Sequence, residues 1–473
     1  MITKSDFLTF LSAPMHLWAI KHDKIENPQD DTFNQFLASQ GFQIEKLAGE
    51  LIRNVIAKQY SNPRIYWQQP VTDGDYFARL DVLIYDMIEQ VYDLYEIKST
   101  TNIRKELHYD LTYQTLVCEA HYSIRDIYLI HINKDYVRGD KVEINSLFVV
   151  KSMNEIIDSM RTDVQHLRQM ALQITLSEIS DGLTGCNKPD RCICPTLCHP
   201  KLPYNHIFNI ARIGMKANAL IENGIVDIRD IPDDFPLSTL QRKQVDAVKS
   251  SQPIIDLMAI KQELDTINYP LHFLDYETIS LAVPIFEGYC PFEHIVFQYS
   301  LDVVDESGAE PIHYEYISID NIDPGPYLLE SLTSQIRKEG TILVWYKPFE
   351  SGQNQAMASR YPDFYDFLHN MNQRLYDLME IFRKGMFIHP EFLGSSSLKK
   401  VLPALAPDIN YDHLSIADGR EAMITWWQLV NEDMDRVTRE TMISDLKDYC
   451  KMDTFAIYTI WRILTSISEE KSE

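Results

Sequence analysis

The amino-acid sequence lacks any apolar run that approaches the ~20 residues needed to cross a bilayer. Its opening stretch, MITKSDFLTFLSAPMHLWAIKHDK, also lacks the uninterrupted apolar segment that a secretory signal carries ahead of its first charges. We therefore expect a soluble, cytoplasmic protein with no membrane partner.

Positive charge is scarce in this sequence. Lys and Arg number 44 against 69 Asp and Glu, which gives a formal net charge of -25. Because nucleic acid is a polyanion, this balance argues against broad, sequence-independent adhesion to it. Net charge does not describe local patches of either sign, however. The pairs Arg104-Lys105 and Lys399-Lys400 are candidate basic strips, although such short pairs are also typical of solvated surface.

Cysteine is scarce as well, and most of it is clustered. Cys118, Cys290 and Cys450 are scattered, whereas the other four of the seven fall within thirteen positions: Cys186, Cys192, Cys194 and Cys198. In a cytosolic chain such a cluster indicates a metal site rather than a disulfide framework. Thiolates at the spacing C-x5-C-x-C-x3-C suit iron-sulfur clusters and zinc alike.

The length of 473 residues, with 45% hydrophobic side chains, predicts two or three domains with separate cores. The Gly/Pro/Cys-rich stretch 182–203 closes the first of them. We predict an α/β (α+β) protein made of three parts: a first domain at 1–203, a small helical linker at 204–265 and a second domain at 266–473.

The first domain has the pattern of a mixed sheet flanked by helices. Helical periodicity covers Ser5–Ile20 and Thr32–Gln59, and residues 150–180 are helical again. Short apolar, partly alternating runs between them predict strands. These runs are Arg64–Gln69, Arg79–Tyr85, Val91–Ile97 and Ile127–Ile132.

Asp81, Glu96 and Lys98 form the first candidate site. Asp81 begins an apolar run, and fifteen residues later Glu96-Ile97-Lys98 ends another, YDLYEIKST. Period-two alternation puts Glu96 and Lys98 on one strand face. Two carboxylates from neighbouring strands can hold a divalent ion against a phosphate, while the ammonium polarises water or stabilises developing charge.

These residues resemble the PD-(D/E)XK superfamily, specifically the RecB-like nucleases, including those associated with CRISPR systems. The opening ITKSDFLTFLSAPMHLWAIKH is similar to their N-terminal helix, GFQIEKLAGEL to their first motif and TYQTLV to their glutamine motif. The resemblance implies a restriction-endonuclease-like fold in which Asp81 and Glu96 bind Mg²⁺ or Mn²⁺. It also implies that Lys98 is the catalytic lysine and that Gln114 helps to position the substrate.

The same resemblance bears on the cysteine segment GCNKPDRCICPTLCHP. RecB-like nucleases with an iron-sulfur cluster take one cysteine from the N-terminal helix and three from a C-terminal loop. Here Ala13 occupies the N-terminal position, so the extra cysteine of the Cys192-Ile193-Cys194 pair is the candidate fourth ligand. A 4Fe-4S cluster is our first choice, zinc is the alternative and a metal-free loop is the third possibility. The role would be structural in the first two cases.

The sequence of the second domain predicts three strands, a helix, a strand and then further helices. The strands are LHFLDYET, HIVFQYSLDVV, HYEYISI and TILVWY, and the helix is Tyr327–Lys338. Asp275 and Glu277 share one face of the first strand. Tyr449 and Asp453 lie four apart on a C-terminal helix and so also share a face. Clustered Asp and Glu of this kind can hold two metal ions ~4 Å apart for phosphodiester hydrolysis.

Taken in sequence order, these acidic residues and Tyr449 resemble the motifs of ribonuclease H-like exonucleases of the DEDD type, in the group that has a tyrosine in the third motif. TILVWYKPFESGQNQAMASRYPDF is similar to their second motif and places Glu350 where the family commonly has aspartate. Asp377, in RLYDLMEIF, matches a further acidic position outside the first ligand set. Residues 271–464, including SSSLKKVLPALAP, are similar to a bacterial ribonuclease H-like family found fused behind RecB-like nucleases.

Together the two resemblances imply a two-site, metal-dependent nuclease. Nucleic acid is the expected partner, with DNA favoured over RNA and an exodeoxyribonuclease favoured among the activities. The rival hypothesis is a non-catalytic, nucleic-acid-binding or defence-associated scaffold with one or both sites degenerate. Metal binding and cleavage at either site separate the two hypotheses.

Overall fold

The computed structural model describes residues 1–25 and 32–469, and the chain is of mixed α/β class, as the sequence predicts. It divides into two compact units. The first comprises Met1–Lys201 and Ser280–Glu293, and the second comprises Leu202–Ile279 and the chain from His294 onward.

These units differ from the predicted parts in two ways. The helical segment 204–265, predicted as a linker, belongs to the second unit, and residues 280–293, predicted as part of the second domain, belong to the first. The physical reason for the second difference is burial. Ala282 and Val283 lie in an apolar cluster with Ile44 and Ile84, and the Ala282 main-chain N–H donates to Gln40 Oε1 at 3.3 Å.

The first unit contains β1 to β6 and α1 to α7. The strands are β1 (Ile2–Thr3), β2 (Arg64–Asp73), β3 (Tyr76–Asp86), β4 (Val91–Lys98), β5 (Ile124–Ile132) and β6 (Phe148–Ser152). The helices are α1 (Lys4–Ser12), α2 (Pro14–Lys21), α3 (Thr32–Leu51), α4 (Lys105–Cys118), α5 (Ile144–Leu147), α6 (Asn154–Leu176) and α7 (Pro195–Cys198). A π-helical turn (Ile52–Ile56) and a 3-10 turn (Ala57–Gln59) continue α3.

The strands form a mixed sheet in the order β1-β3-β4-β5-β6, with β2 paired to β3. β3 and β4 are antiparallel, whereas β4 and β5 are parallel and are joined through α4. One apolar cluster joins Leu83 and Leu94 of the sheet to α1, α4 and α6, and another joins Val82 and Tyr95 to α3. The sheet is therefore covered by helices on both faces, which explains its nearly continuous apolar strands.

The predicted helix Ser5–Ile20 is two helices. α1 begins with a capping box, in which Thr3 Oγ1 accepts the Asp6 N–H at 3.1 Å and Asp6 Oδ2 accepts the Thr3 N–H at 2.8 Å. It ends at Ala13, whose backbone is extended, because Pro14 disfavours helical geometry in the residue before it. Pro14 then opens α2, where a missing N–H costs nothing.

The second unit contains β7 to β13 and α8 to α17. The strands are β7 (Ile254–Ile255), β8 (Leu271–Ser280), β9 (His294–Val304), β10 (Ile312–Ile317), β11 (Thr341–Val344), β12 (Leu375–Asp377) and β13 (Phe387–Ile388). The helices are α8 (Lys216–Glu222), α9 (Thr239–Ser250), α10 (Leu257–Leu264), α11 (Gly325–Gln335), α12 (Lys347–Arg360), α13 (Tyr365–Arg374), α14 (Glu380–Arg383), α15 (Leu398–Leu405), α16 (Gly419–Asn431) and α17 (Arg436–Glu469).

The main sheet of this unit has the order β10-β9-β8-β11-β12, so β8 is its central strand. β11 runs parallel to both β8 and β12. Phe273 of β8 packs with α15 and α17 in one apolar cluster, whereas Leu274 packs with α11, α12 and α13 in another. Because adjacent residues of β8 enter opposite clusters, this strand is buried on both faces.

The segment before β8 has a small apolar cluster of its own, which includes Ile207, Leu220, Ile228 and Val245. Its short strand β7 pairs with β13. Among the residues that the structure describes, no helix combines the length and apolar character needed to cross a membrane.

Candidate functional site

Asp81, Glu96 and Lys98 lie together where the pairing of β3 with β4 ends. Asp81 Oδ2 accepts the Ile97 main-chain N–H at 2.9 Å, which fixes this carboxyl group against β4. Lys98 Nζ lies 2.7 Å from Glu96 Oε1, as expected for residues two apart on one strand face. The structure therefore brings all three predicted residues into one site.

Two residues that the sequence did not single out complete this site. Asp110 of α4 lies 2.9 Å from Lys98 Nζ, and Lys4 of α1 places its Nζ 3.0 Å from Glu96 Oε1. The buried Gln114 donates to Asp110 Oδ1 at 2.8 Å, one helical turn away. The only available signal for Asp110 was this four-residue spacing from Gln114 on one helix face.

Burial and neighbouring charge shift the two strand carboxyl groups in opposite directions. Burial, helped by the charge of Glu96, raises the pKa of Asp81 to about 7. Burial opposes ionisation of Glu96 too, but Lys98 and Lys4 outweigh it and lower its pKa to about 2. At neutral pH Glu96 is therefore charged, whereas Asp81 ionises much less readily than an ordinary aspartate.

The carboxylate oxygens of this site are available to bind a divalent cation. Glu96 Oε2 is buried and, within the described part of the chain, has no hydrogen-bond partner. Among the described residues, Asp81 Oδ1 accepts a single hydrogen bond, from Gln68 Nε2 at 3.2 Å. Carboxylate oxygens with free lone pairs are the ligands that Mg²⁺ prefers. The site can thus hold a cation beside the Lys98 ammonium.

A second acidic site is built on the central strand β8. The ligand atoms of Asp275, Glu277 and Cys450 all lie within 4.8 Å of one another. The Cys450 thiol, on α17, is 3.7 Å from Asp275 Oδ2 and is oriented to donate to it. The sequence placed Cys450 among the scattered cysteines, because nothing in its spacing relates it to Asp275.

Glu350 and Asp377 border this group. Glu350 lies in the first turn of α12, where it is 3% exposed, and its Oε2 has no hydrogen-bond partner among the described residues. Burial, with a contribution from Asp377, raises the pKa of Glu350 to about 8. Asp377 itself accepts the main-chain N–H groups of Lys347 at 3.1 Å and Met379 at 3.2 Å. It therefore fixes the start of the helix that carries Glu350.

The helix α17 brings Tyr449 and Asp453 to the same place. Asp453 Oδ1 accepts a hydrogen bond of 2.5 Å from Tyr411 Oη. Lys399 Nζ donates to Tyr449 Oη at 3.3 Å and lies 5.0 Å from the centre of the same ring. Tyr411 was not predicted from the sequence, and Lys399 was noted there only as half of a basic pair.

The carboxyl groups of this second site repel one another. Burial and the charge of Asp453 raise the pKa values of Asp275 and Glu277 well above their ordinary range. Burial raises that of Asp453 to about 6, with Tyr411 and Lys399 opposing the rise. Buried like charges of this density require protons or cations to balance them. The donor set of oxygens around one strand therefore fits divalent cations.

A third group of side chains, from α2 and the cysteine loop, can hold a metal ion. The ligand atoms of His16, Cys186, Cys192 and Cys198 lie within 4.8 Å of one another, and His16 Nε2 is 3.3 Å from Cys192 Sγ. This set differs from the predicted four cysteines, because His16 joins it and Cys194 does not. Cys194 is 4% exposed and packs in an apolar cluster with α2 residues.

Comparison with known proteins found matches to parts of the chain. A family model described as a domain of unknown function (DUF2779) matches residues 272–397, which include Asp275, Glu277 and Glu350. A relative from Mycoplasma pneumoniae, "Uncharacterized protein MG366 homolog", is 26% identical over 206 residues, covering 40% of this chain and 31% of the relative. "Uncharacterized protein MG366" from Mycoplasma genitalium is 24% identical over 206 residues, which again cover 40% of this chain and 31% of the relative. The chain thus spans about a third of the length of these curated relatives.

Proposed function

We propose that the chain is a Mg²⁺- or Mn²⁺-dependent nuclease that hydrolyses phosphodiester bonds, with DNA favoured over RNA, at two separate sites. One observation carries the proposal. Four acidic side chains from three different elements, Asp275, Glu277, Glu350 and Asp453, lie around the middle of β8 beside Tyr449, and each has a raised pKa. A structural role would not require so many uncompensated carboxyl groups in one buried place.

The second site provides the parts of a two-metal hydrolase. Divalent ions bound there would activate a water molecule and stabilise the leaving oxygen. Asp275 and Glu277 would bind both ions from β8, and Asp453 and Glu350 would complete the ligands from either side. The Tyr449 hydroxyl would orient the attacking water, and Lys399 and Tyr411 would hold Tyr449 and Asp453 in place through the contacts described above.

The strand order supports the resemblance to DEDD-type, ribonuclease H-like exonucleases. Three strands, β8 to β10, precede the helix α11, and β11 then lies parallel to β8 before α12 begins. This order puts the acidic residues of β8 next to the helix that follows β11. Glu350 lies in the first turn of that helix, where the resemblance requires an acid.

The first site supports a separate, RecB-like activity. Asp81 and Glu96 would bind the cation, and the Lys98 ammonium, held charged by Glu96 and Asp110, would stabilise charge at the phosphate. Gln114, which the resemblance assigns to substrate positioning, is buried and hydrogen-bonded to Asp110. We therefore give Gln114 a supporting role: it orients Asp110, which in turn holds Lys98.

The cysteine loop would hold a structural metal, for which a 4Fe-4S cluster and a zinc ion are the candidates. Iron bound by thiolates gives a brown protein with broad visible absorption, whereas zinc leaves the protein colourless. In either case the metal would close the first unit by linking its N-terminal helix to a loop near residue 200.

The direct test is cleavage by the full chain. Purified protein is incubated with Mg²⁺ or Mn²⁺ and with labelled DNA and RNA, each linear or circular and single- or double-stranded, with a chelator control. We expect metal-dependent cleavage of DNA that the chelator abolishes. Binding of nucleic acid without cleavage of any substrate in either metal would contradict the proposal and favour the scaffold hypothesis.

A further inference from the structure

We propose that His16, Cys186, Cys192 and Cys198 together bind one zinc ion, which ties helix α2 to the cysteine loop. The zinc site is separate from the sites assigned to hydrolysis, so zinc binding does not depend on whether the chain cleaves nucleic acid. This set of ligands favours zinc over an iron-sulfur cluster and replaces a cysteine of the predicted ligand set by a histidine.

The distances fit a single tetrahedral ion. With zinc-sulfur bonds of about 2.3 Å and a zinc-nitrogen bond of about 2.0 Å, the edges of the tetrahedron are about 3.5–3.8 Å. The four donor atoms all lie within 4.8 Å of one another, and His16 Nε2 is 3.3 Å from Cys192 Sγ. Each cysteine of a four-iron cluster binds a different iron, so its sulfur atoms stand farther apart than the donors of one ion. The compact group therefore favours one metal ion.

The donor types agree with this choice. Three thiolates and one imidazole form a common structural zinc set, whereas clusters of four irons are typically held by four thiolates. Cys194 Sγ is 3.5 Å from Cys198 Sγ, but Cys194 is not a member of the compact group and packs with Met15, Trp18 and Ala19. His199 Nε2 is 3.5 Å from Cys186 Sγ but is not a member of the compact group.

Helix α2 and the cysteine loop are also held together by contacts that do not involve the four proposed zinc ligands. The Met15 N–H donates to Thr184 O at 3.2 Å, and Trp18 Nε1 donates to Ser177 O at 2.9 Å. Gly185 lies directly against Cys198, where an added Cβ would be 3.1 Å from Cys198 Cβ. A larger residue at position 185 would require Cys198 to shift by a few tenths of an ångström. The loop is thus shaped to bring its first and last cysteines together beside α2.

Binding needs no oxidant or reductant. Zn²⁺ replaces the protons of three thiols, so three protons are released while neutral His16 donates its Nε2 lone pair. Four protein donors leave no open coordination position, which makes the site structural rather than catalytic. Zinc at this site would link a residue near the start of the chain to residues about 180 positions later, and so would hold these two segments of the first unit together.

Metal analysis and X-ray absorption of the wild-type full chain test the ligand set directly. We expect one zinc per chain, no stoichiometric iron or sulfide, and a zinc-edge spectrum fitted by three sulfur atoms and one nitrogen atom. Four sulfur atoms around zinc, stoichiometric iron with sulfide, or a folded chain without metal would each overturn the proposal. This measurement requires no variant and so does not depend on how any substitution affects folding.

Matched variants assign the fourth ligand. After dialysis against a mild chelator, His16→Ala should lose most of its zinc, whereas His199→Ala and Cys194→Ser should keep wild-type content. His16→Cys keeps four donors and should retain zinc, and its cobalt-substituted form should show stronger thiolate-to-cobalt absorption than the wild type. Retention of zinc by a folded His16→Ala together with its loss from Cys194→Ser would show a four-cysteine site instead.

Discussion

Glu350 illustrates how one buried residue links pH, stability and metal binding. Its pKa rises from 4.5 to about 8 on folding because burial disfavours the carboxylate. Between these values the folded chain binds more protons at this residue than the unfolded chain does. The stabilising effect of the neutral form is complete below about 4.5, and it is lost as the pH rises towards about 8. A divalent cation would reverse this penalty by favouring the charged form.

We therefore predict that the metal-free chain loses thermal stability between pH 5 and pH 8, and that Glu350→Gln weakens this loss. Adding Mn²⁺ should stabilise the wild type more at pH 8 than at pH 6, because protons no longer compete for the carboxylates. Melting temperatures at each pH, with and without Mn²⁺, provide the measurement. The same pH slope in wild type and Glu350→Gln would remove Glu350 from this account.

At the residue scale, sequence spacing predicts only neighbours on one element. The relation of Glu96 to Lys98 follows from strand alternation, and that of Tyr449 to Asp453 from the helical repeat. Asp110, Lys4 and Cys450 reach their sites through contacts 12 to 175 positions apart in sequence. No local pattern encodes such contacts, which is why these residues were missed.

At the scale of elements, the sequence predicts most strands of the two main sheets and most of the helices that cover them. Alternating and continuous apolar runs mark β2 to β5 and β8 to β11 within a few residues. The break at Ala13 was missed because apolar residues continue across it, although Pro14 carried the signal. That break matters for the proposed zinc site, since it begins the separate helix on which His16 lies.

Gly394 marks a close approach between two segments of the second unit. Its φ is +72°, and an added Cβ would collide with Asn209 O. Gly394→Ala should therefore destabilise the protein by more than the roughly 1–2 kcal/mol that a left-handed alanine costs. Gly352, inside α12, has open space around its Cα, so Gly352→Ala should instead stabilise by about 0.5–1 kcal/mol.

Chemical denaturation of the two glycine variants, with wild type as the reference, tests this prediction. The opposite signs matter more than the sizes, because both variants add the same methyl group. Equal stability of Gly394→Ala and wild type would mean that the segment around Asn209 can move away from Gly394 at no cost.

At the scale of the whole molecule, length and composition predict more than one core, and the pattern of strands and helices predicts the mixed α/β class, but neither defines the boundaries. The apolar segment LAVPIF looks like a continuation of β8, and only tertiary contacts assign residues 280–293 to the first unit. The negative net charge likewise does not reveal how positive and negative side chains are distributed between the two sites. In the first site Lys4 and Lys98 offset Glu96 and Asp110, whereas the second site gathers acids.

The central claim is that the chain has two metal-dependent sites that cleave nucleic acid independently. Lys98→Ala removes the charge beside Asp81 and Glu96, and Asp275→Ala removes a ligand of the second site. Exposed Lys58→Ala and Asp433→Ala are the matched controls, since neither position lies in a proposed site. Circular dichroism of all four variants checks folding.

The decisive measurement compares cleavage of linear and circular DNA by these variants in Mn²⁺. Each site variant should lose one activity by several orders of magnitude and keep the other, because catalytic groups at one site act as a unit. Both control variants should match the wild type. If each folded site variant kept every activity of the wild type, the two-site account would be contradicted.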